Sequence, residues 1–271
     1  VASAFVLVFA SALVLDRLSA AGRSDLAALH FAGVGAGIAL SALLVSGLTA
    51  WGFGWRSLWL ASGLTALVAL GIVVRAVPDR LEPVATRAPA GRGQHGLTAL
   101  VGAYGLFGFG YVITATFLVV IVRASEEVRP LESLVWLVVG LTAAPSVAFW
   151  TWVGGKLGIS RAFALACGLE AVGVAASVLW LATPGVLLAA ALLGGTFMGL
   201  TALGLLGARR LSHGDPRRTL AVMTAAFGLG QIVGPAFAGV VYDATGTFLG
   251  PSLTAVSALL IAALLALLSA A

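Results

Sequence analysis

Few side chains in this sequence could do chemistry, and they stand far apart. Glu170 is the only acidic residue deep inside an apolar run. A carboxyl at such depth can take up and release a proton, or it can hydrogen-bond a neighbouring helix as a neutral acid. Gln231 lies near the middle of another run, where its amide needs a partner from a second helix, from water or from a ligand. Tyr104 and Tyr111 are seven residues apart and share one helix face, with Phe107 and Thr114 close to it. Two phenols, a ring and a hydroxyl on one face bind ring-shaped or amphipathic small molecules by stacking and hydrogen bonding, or simply pack against other helices. Phe197, Met198, Thr201 and Phe227 could line the same cavity. His30, at the start of its run, reads as an interfacial residue or a proton relay.

Other chemistries find no residues to carry them. His30, His95 and His213 fall in separate segments, so neither a metal site nor a Ser–His–Asp set can be assembled. Cys167 is the one cysteine, a small packing residue inside an apolar run. GGKLGISR at 154–161 lacks the spacing and the preceding strand of a phosphate loop. No catalytic residue, cofactor or metal is expected.

The elements that hold these residues follow from composition. The chain of 271 residues is 61% hydrophobic and 9% charged, against about 25% charged in a soluble domain. Its mean hydropathy is +1.10. So much apolar surface points to a polytopic all-α membrane protein in a lipid bilayer. Nine candidate spans are legible, at roughly 1–15, 28–49, 57–77, 97–122, 133–154, 162–182, 185–207, 219–241 and 249–270. Long runs without alternation exclude a β-barrel.

Charge tests that segmentation. With loops assigned alternately to two sides, one side receives twelve of the 15 Lys and Arg residues, and the other only Arg56, Arg123 and Arg129. The basic side is expected to be cytoplasmic, with the C-terminus on it. The net charge of +5 therefore reflects orientation and not a nucleic-acid partner. Residues 78–96, rich in Pro, Gly and Arg, read as a cytoplasmic linker. Residues 1–77 then form three spans and residues 97–271 form a six-helix bundle. The chain begins without Met, so three plus six suggests a two-bundle protein lacking its first three helices; a complete nine-span protein is the alternative.

Small residues four apart let helices approach closely in lipid. Gly33 and Gly37, Gly195 and Gly199, and Gly230 and Gly234 are such pairs, serving static packing or movable contacts. Pro235 removes one helical hydrogen bond and bends its span, as a pivot or as a fixed kink.

VGGKLGISRAF at 153–163 resembles the loop of the major facilitator superfamily, with its pattern G-x-x-x-D-[RK]-x-G-[RK]-[RK]. Lys156, Gly158 and Arg161 fit it, while Gly155 stands where the pattern has Asp. The loop falls between the second and third spans after the linker, where that family carries it. HFAGVGAGIALSALL at 30–44 and LAVMTAAFGLGQIVGPAFAGVVYDATGTF at 220–248 resemble YbfB/YjiJ-type permeases of that superfamily. The resemblance begins within the fourth helix of twelve. It implies a bacterial inner-membrane permease with two six-helix bundles and alternating access. It puts Glu170 on a helix that is usually peripheral. It puts Tyr104, Tyr111, Phe197, Thr201 and Gln231 on helices that usually line the cavity. The expected activity is secondary transport of a small organic solute, coupled to protons, without an obligatory protein partner. The alternative is a membrane receptor or scaffold that keeps the carrier fold without transport.

Overall fold

A computed structural model of the chain describes Val14, Arg17, Leu18 and residues 21–23, 26–76, 94–212 and 216–269. Among these residues there are eight long helices and no strand. They are α1 (Ala27–Ala50), α2 (Trp55–Ala76), α3 (Gln94–Ala124), α4 (Glu132–Leu157), α5 (Ile159–Leu179), α6 (Thr183–Leu211), α7 (Pro216–Thr245) and α8 (Leu249–Leu268). A short 3-10 turn, Arg129–Leu131, leads into α4. All eight helices are long and apolar enough to cross a membrane. The expected first span, 1–15, and most of the linker lie outside the described residues.

Several helices run past the apolar stretch that identifies them. α3 begins at Gln94 and ends at Ala124, which at about 1.5 Å per residue exceeds a hydrocarbon core of about 30 Å. A helix satisfies its own backbone, so it continues into the headgroup region until a turn residue stops it. Gly158 is such a residue. Its φ of 89° lies in the left-handed region that only glycine enters freely, so one residue joins α4 to α5.

The helices α3 to α8 form one packed body. α4 packs on α6, α6 on α5, α5 on α8, α8 on α3 and α3 on α7. α1 joins this body through α4. The α1–α4 crossing is close because both sides are small. A Cβ at Gly35 would lie 2.6 Å from Ala144 Cα, and one at Gly140 would lie 2.8 Å from Ala39 Cα. α2 packs on α1 and buries no residue of its own. Its exposed leucines and valines would be costly in water and are at ease against lipid.

Hydroxyls inside the spans are mostly used up locally. Thr142, Ser146, Thr151, Ser177 and Thr196 each donate to a carbonyl one turn back on their own helix. Trp150 is different. Its indole N–H donates to the Gly195 carbonyl at 2.7 Å and ties α4 to α6.

Candidate functional site

The α3–α7 crossing assembles the site. FGLGQIVGP on α7 meets AYGLFGFGY on α3 through missing side chains. A Cβ at Gly230 would lie 2.6 Å from Phe109 N, and one at Gly108 would lie 2.6 Å from the Phe227 carbonyl. Gly234 likewise sits against the Phe109 carbonyl. Backbones this close bring side chains at Tyr111 and Gln231 within reach of each other. Gln231 Nε2 donates to the Tyr111 hydroxyl at 2.6 Å.

Around that pair the aromatic residues of four helices gather. Tyr111 stacks nearly parallel to Phe197 of α6, at 5.9 Å between ring centroids. It stacks equally flat on Phe227 of α7, at 5.7 Å. Phe227 also stacks on Tyr104, at 5.0 Å, and Phe107 on Tyr111, at 5.1 Å. Phe163 of α5 closes the cluster, its ring perpendicular to that of Phe107. The cluster has depth. Tyr104, Phe107 and Thr114 are buried, whereas Tyr111, Phe197, Thr201, Phe227 and Gln231 are partly exposed. The first group forms a floor and the second an accessible surface.

In the floor, the buried Thr114 hydroxyl has no hydrogen-bond partner among the described residues. On the accessible surface, Thr201 donates its hydroxyl to the Phe197 carbonyl of its own helix at 2.9 Å. Gly204 leaves room for the Tyr104 ring, since a Cβ there would lie 2.6 Å from it. The Tyr111 oxygen accepts from Gln231, so its own proton is still available to a further acceptor. Pro235 lacks the N–H that would bond the Gln231 carbonyl four residues back. Gln231 thus combines an amide and a backbone carbonyl without its intrahelical donor.

The remaining candidates lie elsewhere. His30 is near the start of α1, with its ring edge-on to Phe31 at 5.1 Å. Lys156 and Arg161 are exposed on either side of Gly158, at one end of the body. Gly195 lies under Thr142, and Gly199 lies under the Trp150 ring. A Cβ at Gly33 or Gly37 would meet no described atom; Gly35, between them, makes the close contact. Glu170 is fully buried inside the body, although the resemblance places its helix at the periphery. The described residues contain no group of His, Cys, Asp and Glu able to hold a metal. An apolar groove lined by Val45, Leu58, Trp59 and Ser62 lies between α1 and α2, away from the ring cluster.

Three contributors carry no signal as single letters in the sequence. Phe163, Gly204 and Trp150 each lie in an ordinary apolar run, and only the neighbouring helix gives them a role.

A family model described as "Uncharacterised MFS-type transporter YbfB" matches residues 1–267. The chain belongs to this family. It is therefore a multi-pass membrane protein of an MFS transporter family, and its aromatic cluster is to be read as part of a transporter. No curated protein matches the chain.

Proposed function

We propose that this MFS-family chain is a secondary active transporter of the bacterial inner membrane, moving a small organic solute by alternating access and coupled to protons. The solute docks on the partly exposed surface of Tyr111, Phe197, Phe227 and Gln231. The observation that supports this is the Tyr111–Gln231 pair. A polar dyad with unspent donor and acceptor capacity stands among parallel rings, at a helix crossing made of glycines. Rings offer stacking area and the dyad offers orientation, which is how small-molecule sites combine affinity with specificity. Close glycine contacts between α3 and α7 leave few interlocked side chains to break when the helices shift.

Residues 1–77 belong to the N-terminal bundle in this reading, 78–96 to a cytoplasmic linker and 97–271 to the C-terminal bundle. The distribution of charge supports the orientation. Lys156, Arg161, Arg209, Arg210 and Arg218 flank the α4–α5 and α6–α7 turns at one end. Glu126, Glu127 and Glu132 flank the α3–α4 turn at the other. The basic end is then cytoplasmic, and so is the C-terminus.

The test is flux. The protein, expressed from its complete reading frame and placed in vesicles, should accumulate a ring-bearing solute under an inward proton gradient. A protonophore should abolish accumulation. A folded protein that moves nothing under any gradient would favour the receptor or scaffold reading instead.

A further inference from the structure

Glu170 has no part in the ring cluster or the loop motif, yet it is the most isolated acid among the described residues. It is 0% exposed, and neither carboxyl oxygen has a hydrogen-bond partner among those residues. The groups that face it are few. Its own helix brings Cys167, equally buried. α3 brings the Tyr111 phenol within electrostatic reach. α6 brings Thr196, which stands beside the carboxyl without completing a hydrogen bond. The Thr196 hydroxyl proton is already given to the Leu192 carbonyl at 2.6 Å, so it can offer Glu170 only a lone pair. α8 carries no ionisable side chain. α4 carries Glu132 and Lys156 at its two ends, away from mid-span.

An ionised carboxylate in that position would have neither a counter-charge nor a donor, so in this conformation the group is a neutral acid. An acid kept only for structure would donate its proton to a carbonyl or hydroxyl of the next helix. Glu170 does not. Tyr111 provides the connection to the solute surface. Its oxygen accepts from Gln231, so its O–H can be given to one further group: a carboxylate on the α5 side or a solute on the open side.

We propose that Glu170 is the proton-binding site of the transporter, and that Tyr111 links its proton occupancy to the solute. The proposal rests on the transport reading above. When Glu170 ionises, its O–H bond breaks, the electron pair stays on the carboxyl oxygen and the proton leaves to water admitted from the cavity. The Tyr111 O–H then donates to the carboxylate. A solute that accepts the Tyr111 hydrogen bond withdraws that donor, and Glu170 takes a proton back from water. Solute and proton therefore favour each other's binding, and the two move together.

Infrared spectroscopy of the purified protein tests this without a solute, through the C=O stretch of a protonated carboxyl followed as pH is raised. The expected result is a band that disappears with rising pH, is absent from Glu170→Gln and titrates at a displaced midpoint in Tyr111→Phe. Glu170→Asp, which keeps an acid, should retain a titrating band. A band that persists at every pH at which the protein stays folded would overturn the proposal, because the proton would be locked. Absence of the band at acid pH would overturn it as well. A midpoint unmoved by Tyr111→Phe would overturn the link to the solute. Vesicle flux separates this from the transport reading. Glu170→Gln that exchanges solute down its gradient but no longer accumulates it supports the proposal. A wild-type protein whose Glu170 titrates but which moves no solute would overturn the transport reading, and the proposal's link to solute with it.

Discussion

The contact between Tyr111 and Gln231 is one hydrogen bond between two side chains 120 positions apart in the chain. A net hydrogen bond contributes about 1 kcal/mol, which is roughly a fivefold change in an equilibrium. Tyr111→Phe keeps the ring and its stacking on Phe197 and Phe227, and removes only the hydroxyl. Its apparent affinity for solute should fall about fivefold to tenfold, on that magnitude, with the fold intact. Gln231→Ala should fall by a similar factor. The double variant should be little worse than the poorer single one, because both remove the same contact. Initial uptake rates over a range of solute concentrations would check this. Fully additive losses would mean that the two groups touch the solute separately. Thr201→Val makes a useful contrast, since its hydroxyl is committed to the Phe197 carbonyl of its own helix; it should lower thermal stability more than affinity.

Glycines set the geometry at the scale of helices. A Cβ at Gly230 would sit 2.6 Å from Phe109 N and 3.1 Å from the Gly108 carbonyl carbon, so backbone must move to admit it. Gly230→Ala should therefore cost about 1–3 kcal/mol as an overpacked contact, read as a lower melting temperature in detergent. Gly33→Ala, which meets no described atom, should leave the melting temperature unchanged or slightly raise it, since alanine favours helix. This pair also shows what the sequence could tell. The eight described helices were legible because about 20 apolar residues in a row have few other solutions. The pairing of helices was not. In a chain with 35 glycines, a four-residue spacing occurs in several registers at once. On α1 the sequence points to Gly33 and Gly37, whereas Gly35 and Ala39 meet Gly140 and Ala144. Which register is used depends on the partner helix, and one strand of text does not contain that partner. For the same reason the tyrosine face was visible from its seven-residue spacing, but not its division into floor and surface. Phe163 and Gly204, which decide that division, have no periodic signature.

At the scale of the whole molecule, a transporter has to admit water and solute from one end at a time, and the ring cluster predicts how far that access reaches. Tyr104 is 2% exposed and lies beneath Phe227, while Tyr111 is partly open beside Gln231. In a Cys167→Ala background, Tyr111→Cys should react readily with a membrane-impermeant thiol reagent that reaches the open end. Tyr104→Cys should react far more slowly, because position 104 is buried and its ring stacks on Phe227. Gly93→Cys, in the proposed linker, serves as the control. Solute should protect position 111 and leave position 104 and the control unchanged. If the molecule alternates, reagent added from the two sides of the membrane should label position 111 to extents that change in opposite directions when solute is present. Labelling of 111 from one side only, unaffected by solute, would describe a fixed cleft and not a carrier. Equal inertness at 111 and 104 with a reactive linker would mean that the rings are a closed core and that solute binds elsewhere. The depth order follows from burial, because Tyr104 is 2% exposed and stacks on Phe227 while Tyr111 is partly exposed.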